Sequence, residues 1–100
     1  MAEDITPQQL KDRITQGETL NLLDVREPWE YEEKRICDLN IPLGTLPTSL
    51  DQIQDWKEQE LIVYCRSGQR SGQAKKFLEQ QGYTQVRNLL EGIEGYNALV

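Results

Sequence analysis

Histidine is absent from all 100 residues. Without it the chain has neither the commonest general base nor the commonest metal ligand. The two cysteines, Cys37 and Cys65, stand far apart rather than at CxxC spacing, which leaves nothing for a zinc site or a thioredoxin-type redox pair. Two cysteines are also too few for the disulfide framework of a small secreted domain, so reduced thiols are expected. No apolar run approaches the ~20 residues needed to cross a bilayer. The start, MAEDITPQQL, carries acids where a secretory leader would carry a basic segment and an apolar core. Positive charge is scarce: eleven Lys and Arg stand against seventeen Asp and Glu, a formal net charge of −6, which argues against a nucleic-acid-binding surface. A cytoplasmic chain with no nucleic-acid or membrane partner is the expectation, folded as a single domain over 1–100, because 37% apolar content supports one modest core.

What is present alternates between strand and helix signals. TPQQLKDRITQG has Thr6 as N-cap, Pro7 at the first helical position and Gln9 completing a capping box, and it closes at Gly17. TLNLLDV (19–25) reads as a strand, PWEYEEK (28–34) as a short helix, and LNIP as a brief strand stopped by Pro42. SLDQIQDWKEQ places Leu50, Ile53 and Trp56 at helical spacing. ELIVYC (60–65) is an unalternating apolar run that suits a strand covered on both faces. SGQAKKFLEQQG presents Ala74, Phe77 and Leu78 on one helical face and closes at Gly82; QVRNLL (85–90) is a further strand and GIEGYNALV a terminal helix. The pattern predicts an α/β fold with a largely parallel sheet flanked by helices on both faces. Trp29, Tyr31, Trp56 and Phe77 read as core or half-buried packing.

The informative stretch is CRSGQRS (65–71), a cysteine at the carboxyl end of the clearest strand, where loops of a parallel sheet run into helix N-termini and ligands bind. Consecutive backbone N–H groups of such a loop form an anion-binding nest, and Gly68 can supply a positive φ. Arg66 and Arg70 add charge, and from Arg66 to Leu78 there are four basic residues and no acid, so a local positive patch is expected in an acidic protein. Together these groups favour Cys65 as a thiolate without a histidine. Each residue also has a plainer reading. Cys65 as a buried structural cysteine would share a common fate of that residue, the arginines as surface ion pairs would bind nothing, and Ser67 and Ser71 as caps of the following helix are favoured over a direct catalytic part.

Taken in order, LLDVREPWEYE, IPLGTLP, LIVYCRSGQRSGQAKKFLEQQGY and VRNLLEGIEGY resemble the single-domain rhodanese (thiosulfate sulfurtransferase-like) family over nearly the whole chain. The resemblance implies a five-stranded parallel sheet and a ping-pong reaction with no cofactor or metal. In it Cys65 takes the outer sulfur of a donor such as thiosulfate as a persulfide and passes it to cyanide or a thiol. By the same resemblance the substrate-binding segment is Arg66, Ser67, Gly68, Gln69, Arg70 and Ser71. Its amides ring the transferred sulfur and its arginines take the donor's sulfonate, while Asp24 and Arg26 support the site as a buried pair. A thioredoxin-like thiol, a sulfur-carrier protein or a tRNA-modifying enzyme are the acceptor partners such a domain serves.

The chain differs from many members at Cys37-Asp38, at Glu91-Gly92 in place of a Gly-Gly pair, and at Tyr96 in place of Trp. Glu91 is expected to bring negative charge to the site mouth and weaken anionic donors. Cys37 reads as a bystander, with sulfur acceptor or disulfide partner of Cys65 as the alternatives. Two other functions compete. Cysteine phosphatases and arsenate reductases place one residue more between cysteine and arginine than the four enclosed by Cys65 and Arg70, and the shorter loop suits a sulfur atom better than a phosphoryl group. A non-catalytic binding or regulatory module usually lacks the cysteine, which this chain keeps.

Overall fold

The computed structural model describes residues 2–99. The elements in chain order are α1 (Pro7–Thr15), β1 (Leu22–Asp24), α2 (Pro28–Glu33), two 3-10 segments (Leu43–Thr48 and Leu50–Trp56), β2 (Glu60–Tyr64), α3 (Gln69–Gln80), β3 (Gln85–Asn88) and α4 (Gly92–Asn97). The strands form one parallel sheet in the order β1-β2-β3, with Leu23 opposite Val63 and Val63 opposite Asn88.

Among the described residues three strands stand where the resemblance implied five. The two remaining places are each filled by a single parallel bridge, Asn40 beside Asp24 at one edge and Ile5 beside Leu89 at the other. Ile5 donates to the Asn88 carbonyl at 3.0 Å and accepts from Leu90 N–H at 2.9 Å; Ile41 N–H donates to Asp24 at 2.9 Å. Prolines cut both edges short. Pro7 starts α1 two residues after Ile5, and Pro42, which has no N–H for a ladder, follows Ile41. The brief strand expected at LNIP is therefore one bridge, and the strand expected over 19–25 pairs only at Leu22–Asp24.

β2 explains the rest of the architecture. Alternate side chains of a strand face opposite ways: Leu61, Val63 and Cys65 enter one buried cluster with Leu23, Val25, Ala74, Leu78 and Val86, under α3 and the 3-10 segments. Ile62 and Tyr64 enter a second cluster with Ile5, Leu10, Leu89 and Ile93, under α1 and α4. Both faces are covered, so the run LIVY has no polar face. The capping box at Thr6 is made: Gln9 N–H donates to Thr6 Oγ1 at 3.1 Å and Thr6 N–H donates to Gln9 Oε1 at 3.0 Å.

Two helical expectations change. The segment around Leu50, Ile53 and Trp56 forms 3-10 turns broken at Ile53, whose φ of −125° leaves the helical region; its apolar residues still meet the core. The terminal helix ends at Asn97, and Val100 lies outside the described residues. Trp29, expected in or near the core, is 65% exposed on α2, a helix that buries none of its residues. No helix among the described residues is long and apolar enough to cross a membrane.

Candidate active site

The site grows out of the carboxyl end of β2. Cys65 follows Tyr64 and is 1% exposed, its sulfur drawn into a loop that turns back through Gly68 into α3. Gly68 has φ 104°, a left-handed conformation that costs a side-chain-bearing residue energy, and it is the N-cap of α3. That turn aims Gly68 N–H at Cys65 Sγ at 3.1 Å. Ser71, fully buried, brings its hydroxyl to 3.3 Å from the same sulfur. Burial alone pushes the Cys65 thiol up, but the hydrogen bonds from Ser71, from its backbone N–H and from those of Gly68 and Ser67 outweigh burial and hold it below the ordinary thiol range.

Neither serine caps α3 through its side chain: the helix begins at Gln69 with Gly68 as its cap, and Ser71 lies inside the first turns facing the sulfur. Ser67 and Gln69 are exposed and meet Cys65 through no side-chain hydrogen bond. The loop is clamped from behind by α4, where Ile93 N–H donates to the Cys65 carbonyl at 2.9 Å and Glu94 N–H to the Arg66 carbonyl at 3.1 Å. A Cβ on Gly92 would lie 2.4 Å from the Arg66 carbonyl oxygen, so only glycine fits there. Glu91 beside it takes φ 63°, the conformation that the commoner glycine would adopt without strain.

Folding reduces the positive patch expected from residues 66–78, because acids distant in sequence are brought to three of its four bases, Arg66, Arg70 and Lys75. Arg70 makes a bidentate pair with Glu30 of α2 at 2.7 and 3.0 Å. The Arg70 hydrogen bonds hold the Glu30 carboxyl at about 2. Arg66 Nε meets Glu94 Oε2 at 2.9 Å on the surface, and Lys75 Nζ meets Asp4 at 2.6 Å. The carboxylate at the mouth is therefore Glu94 and not Glu91, whose side chain lies along its own helix against Gly95. Asp24 and Arg26 form a buried pair at 2.8 Å, and Arg26 also donates to the Lys34 carbonyl. Asn40 Nδ2 donates to the carbonyls of both, at 3.0 Å each. This pair fixes the ends of α2 and of the 34–40 turn. Arg26 also lies over the ring of Tyr64, the residue before Cys65, at 5.7 Å and shares the lining of one cleft with Arg66, and by holding the end of α2 it sets the helix whose Glu30 pairs with Arg70.

A cleft of about 340 Å³ opens between α2 and α4, lined among others by Trp29, Glu33, Arg66, Ile93, Glu94 and Asn97; it borders the loop at Arg66, and Cys65 is not in its lining. Cys37 is half-buried against the opposite face of the sheet from Cys65, and neither thiol is in a disulfide. Its Sγ donates to the Leu39 carbonyl at 3.2 Å and lies 3.4 Å from the Tyr64 hydroxyl; burial pushes it above the usual thiol range.

Sequence reasoning missed Glu30, Glu94 and Asn88. Asn88 ends β3, donates from Nδ2 to the Gly68 carbonyl at 3.0 Å and lies 2.5 Å from Ser71 Oγ through Oδ1. Its signal in the sequence is a polar residue at the carboxyl end of an otherwise covered strand, where ligand sites of parallel sheets form.

A parallel α/β domain with a cysteine in a strand-to-helix nest at the carboxyl edge of its sheet is the class that fold and site define. The chain belongs to the rhodanese-like domain family, whose sequence profile matches residues 6–99. It is 38% identical over 94 residues to a sulfurtransferase of Allochromatium vinosum, covering 93% of this chain and 86% of that one. Against the thiosulfate sulfurtransferase PspE of Escherichia coli it is 37% identical over 67 residues, covering 66% and 64%. Among solved structures, the human single-domain sulfurtransferase TSTD1 superposes with a TM-score of 0.80 at 25% identity over the full length of both chains. These relatives place the chain in a sulfurtransferase family.

Proposed function

We propose that this chain moves a sulfane sulfur from thiosulfate or a similar donor to a thiophilic acceptor, cyanide or a thiol, through a persulfide on Cys65. In the first half-reaction the Cys65 thiolate attacks the outer sulfur of thiosulfate. A Cys65 S–S bond forms, the donor's S–S bond breaks, and sulfite leaves with the bonding electron pair. In the second, cyanide attacks the outer persulfide sulfur, thiocyanate departs and the Cys65 thiolate is restored. No net oxidation occurs, so the chain needs no redox partner for this cycle.

The observation that carries the reading is the Cys65 sulfur turned into donors, with Gly68 N–H at 3.1 Å and the Ser71 hydroxyl at 3.3 Å. Fixed N–H donors stabilise the thiolate before attack and the persulfide anion after it, and they need no reorganisation between the two. Arg66 is the arginine available to a sulfonate, since its exposed pair with Glu94 opens at small cost. Arg70, held on two bonds by Glu30, serves as a fixed positive charge beside the loop.

The test is the intact mass of the protein after incubation with thiosulfate, for the parent and Cys65→Ser, before and after cyanide. The expected outcome is a gain of one sulfur atom that needs Cys65 and is removed by cyanide as thiocyanate. No gain at any thiosulfate concentration would overturn thiosulfate as the donor.

A further inference from the structure

We propose that Asn88 is a positioning residue that sets the ionisation of Cys65 by competing with it for the single proton of the Ser71 hydroxyl. The proposal rests on the sulfurtransferase reading for its purpose but not for its geometry. Ser71 Oγ lies between two acceptors, Cys65 Sγ at 3.3 Å and Asn88 Oδ1 at 2.5 Å. The amide of Asn88 cannot turn to relieve the competition. Its Nδ2 donates to the Gly68 carbonyl at 3.0 Å, and a flip would set two carbonyl oxygens against each other there and leave the loop without that bond. Ser71 and Asn88 are both buried, so water does not supply the missing proton.

With Cys65 protonated the chain of bonds closes. The S–H donates to Ser71 Oγ, the Ser71 O–H donates to Asn88 Oδ1, and Asn88 Nδ2 donates to Gly68. When the thiol proton leaves to solvent base, the Ser71 proton has two claimants. Given to sulfur, it leaves Asn88 Oδ1 bare; given to Asn88, it leaves the thiolate with backbone donors only. Either way one buried acceptor goes short, a penalty that a hydroxyl with no rival acceptor would not carry. A persulfide escapes it. The negative charge then sits on the outer sulfur, the bridging sulfur no longer demands a proton, and Ser71 can return to Asn88. The network therefore disfavours the empty thiolate relative to the loaded cysteine.

The charged groups around Cys65 do not supply this effect. On the loop and α3 stand Arg66 and Arg70, on α2 Glu27 and Glu30, on α4 Glu94, and at the end of β1 the Asp24–Arg26 pair. All are common to the variants below, so they cancel between them.

The experiment is the pH dependence of Cys65 alkylation by iodoacetamide, read by mass in a Cys37→Ser background. Four proteins are compared: the parent, Asn88→Leu, Ser71→Ala and the double variant. Asn88→Leu is expected to lower the midpoint by about one pH unit, roughly tenfold more thiolate at a given pH below it. Ser71→Ala with Asn88 in place is expected to raise the midpoint, by less than about a third of that, because Asn88 draws the Ser71 proton away from the sulfur and the loop N–H groups carry most of the remaining stabilisation. The double variant is expected to match Ser71→Ala, because without the hydroxyl there is nothing to compete for. An equal shift from Asn88→Leu in both Ser71 backgrounds, no shift in either, or a full-unit rise from Ser71→Ala alone would overturn the proposal. If circular dichroism shows Asn88→Leu unfolded, Asn88→Ala enters the same cycle with the same expected outcomes. Alkylation needs no sulfur donor, so an intact cycle in a protein that never loads sulfur would overturn the function and leave this inference standing.

Discussion

Cys65 and Cys37 are the only thiols of the chain, both withdrawn from solvent, and their environments drive them in opposite directions. Burial pushes each toward the neutral thiol. Around Cys65, hydrogen bonds from Ser71 and from the N–H groups of the loop reverse that push. Around Cys37 the nearest partner is the Leu39 carbonyl, an acceptor that stabilises the S–H form. Net charge does not separate them, since the arginines flanking Cys65 each carry a carboxylate partner. What separates them is the direction of the backbone: donors face one sulfur, an acceptor faces the other.

The comparison is sharpened most by removing each thiol in turn. Cys65→Ser is expected to abolish sulfur loading and thiocyanate formation, while Cys37→Ser keeps both within about twofold, since Cys37 packs on the opposite face of the sheet from the loop; a thiocyanate assay beside intact mass decides it. A comparable loss from Cys37→Ser would make it a participant. The next largest effect breaks the frame beside Cys65. Glu30→Gln removes the bidentate hold on Arg70 and is expected to cost about 2 kcal/mol of unfolding free energy at neutral pH. Because folding depresses the Glu30 carboxyl from 4.5 to about 2, its contribution is present above pH 4.5 and lost as pH falls through about 2. The stability difference between parent and Glu30→Gln, followed by urea denaturation, should shrink over that window; a difference that stays constant would refute the pairing.

A smaller effect is kinetic. At mildly alkaline pH Cys65 is expected to react with iodoacetamide about tenfold faster than Cys37, as the opposite directions of their shifts require. Equal rates would show that the loop donors do not outweigh burial. The smallest concerns the mouth. Glu94→Gln releases Arg66 and is expected to lower the KM for thiosulfate by about twofold with kcat unchanged, the modest size following from an exposed pair. Glu91→Gly should leave that KM alone, and the reverse order of the two variants would return the mouth charge to Glu91.

The sequence made local signals legible and hid the remote ones. The capping box at Thr6, the doubly covered strand Glu60–Tyr64 and the cysteine loop all rest on neighbouring residues, and all appear in the structure. The edge strands did not: LNIP makes a single bridge because Pro42 cannot extend a ladder, and at the other edge Pro7 starts α1 so soon after Ile5 that this residue too makes only one bridge. The positive patch was misread for a related reason. Counting charges from Arg66 to Leu78 could not see Glu30, Glu94 and Asp4, which lie 40, 28 and 71 residues from the bases they meet. Asn88 escaped because a single asparagine carries no periodicity; only the parallel register that sets it opposite Val63 brings it to the loop.

The alternation along β2 carries a last consequence. Tyr64 and Cys65 are adjacent in sequence yet belong to different halves of the molecule, and Cys37 lies with Tyr64. The sheet thus stands as a partition between the only two sulfur nucleophiles of the chain. An oxidant that converts Cys65 to a sulfenic acid finds no resolving thiol on the same side, so recovery must come from an outside thiol before further oxidation becomes irreversible. The fold that keeps Cys65 from being short-circuited internally also leaves its repair to the surrounding thiol pool.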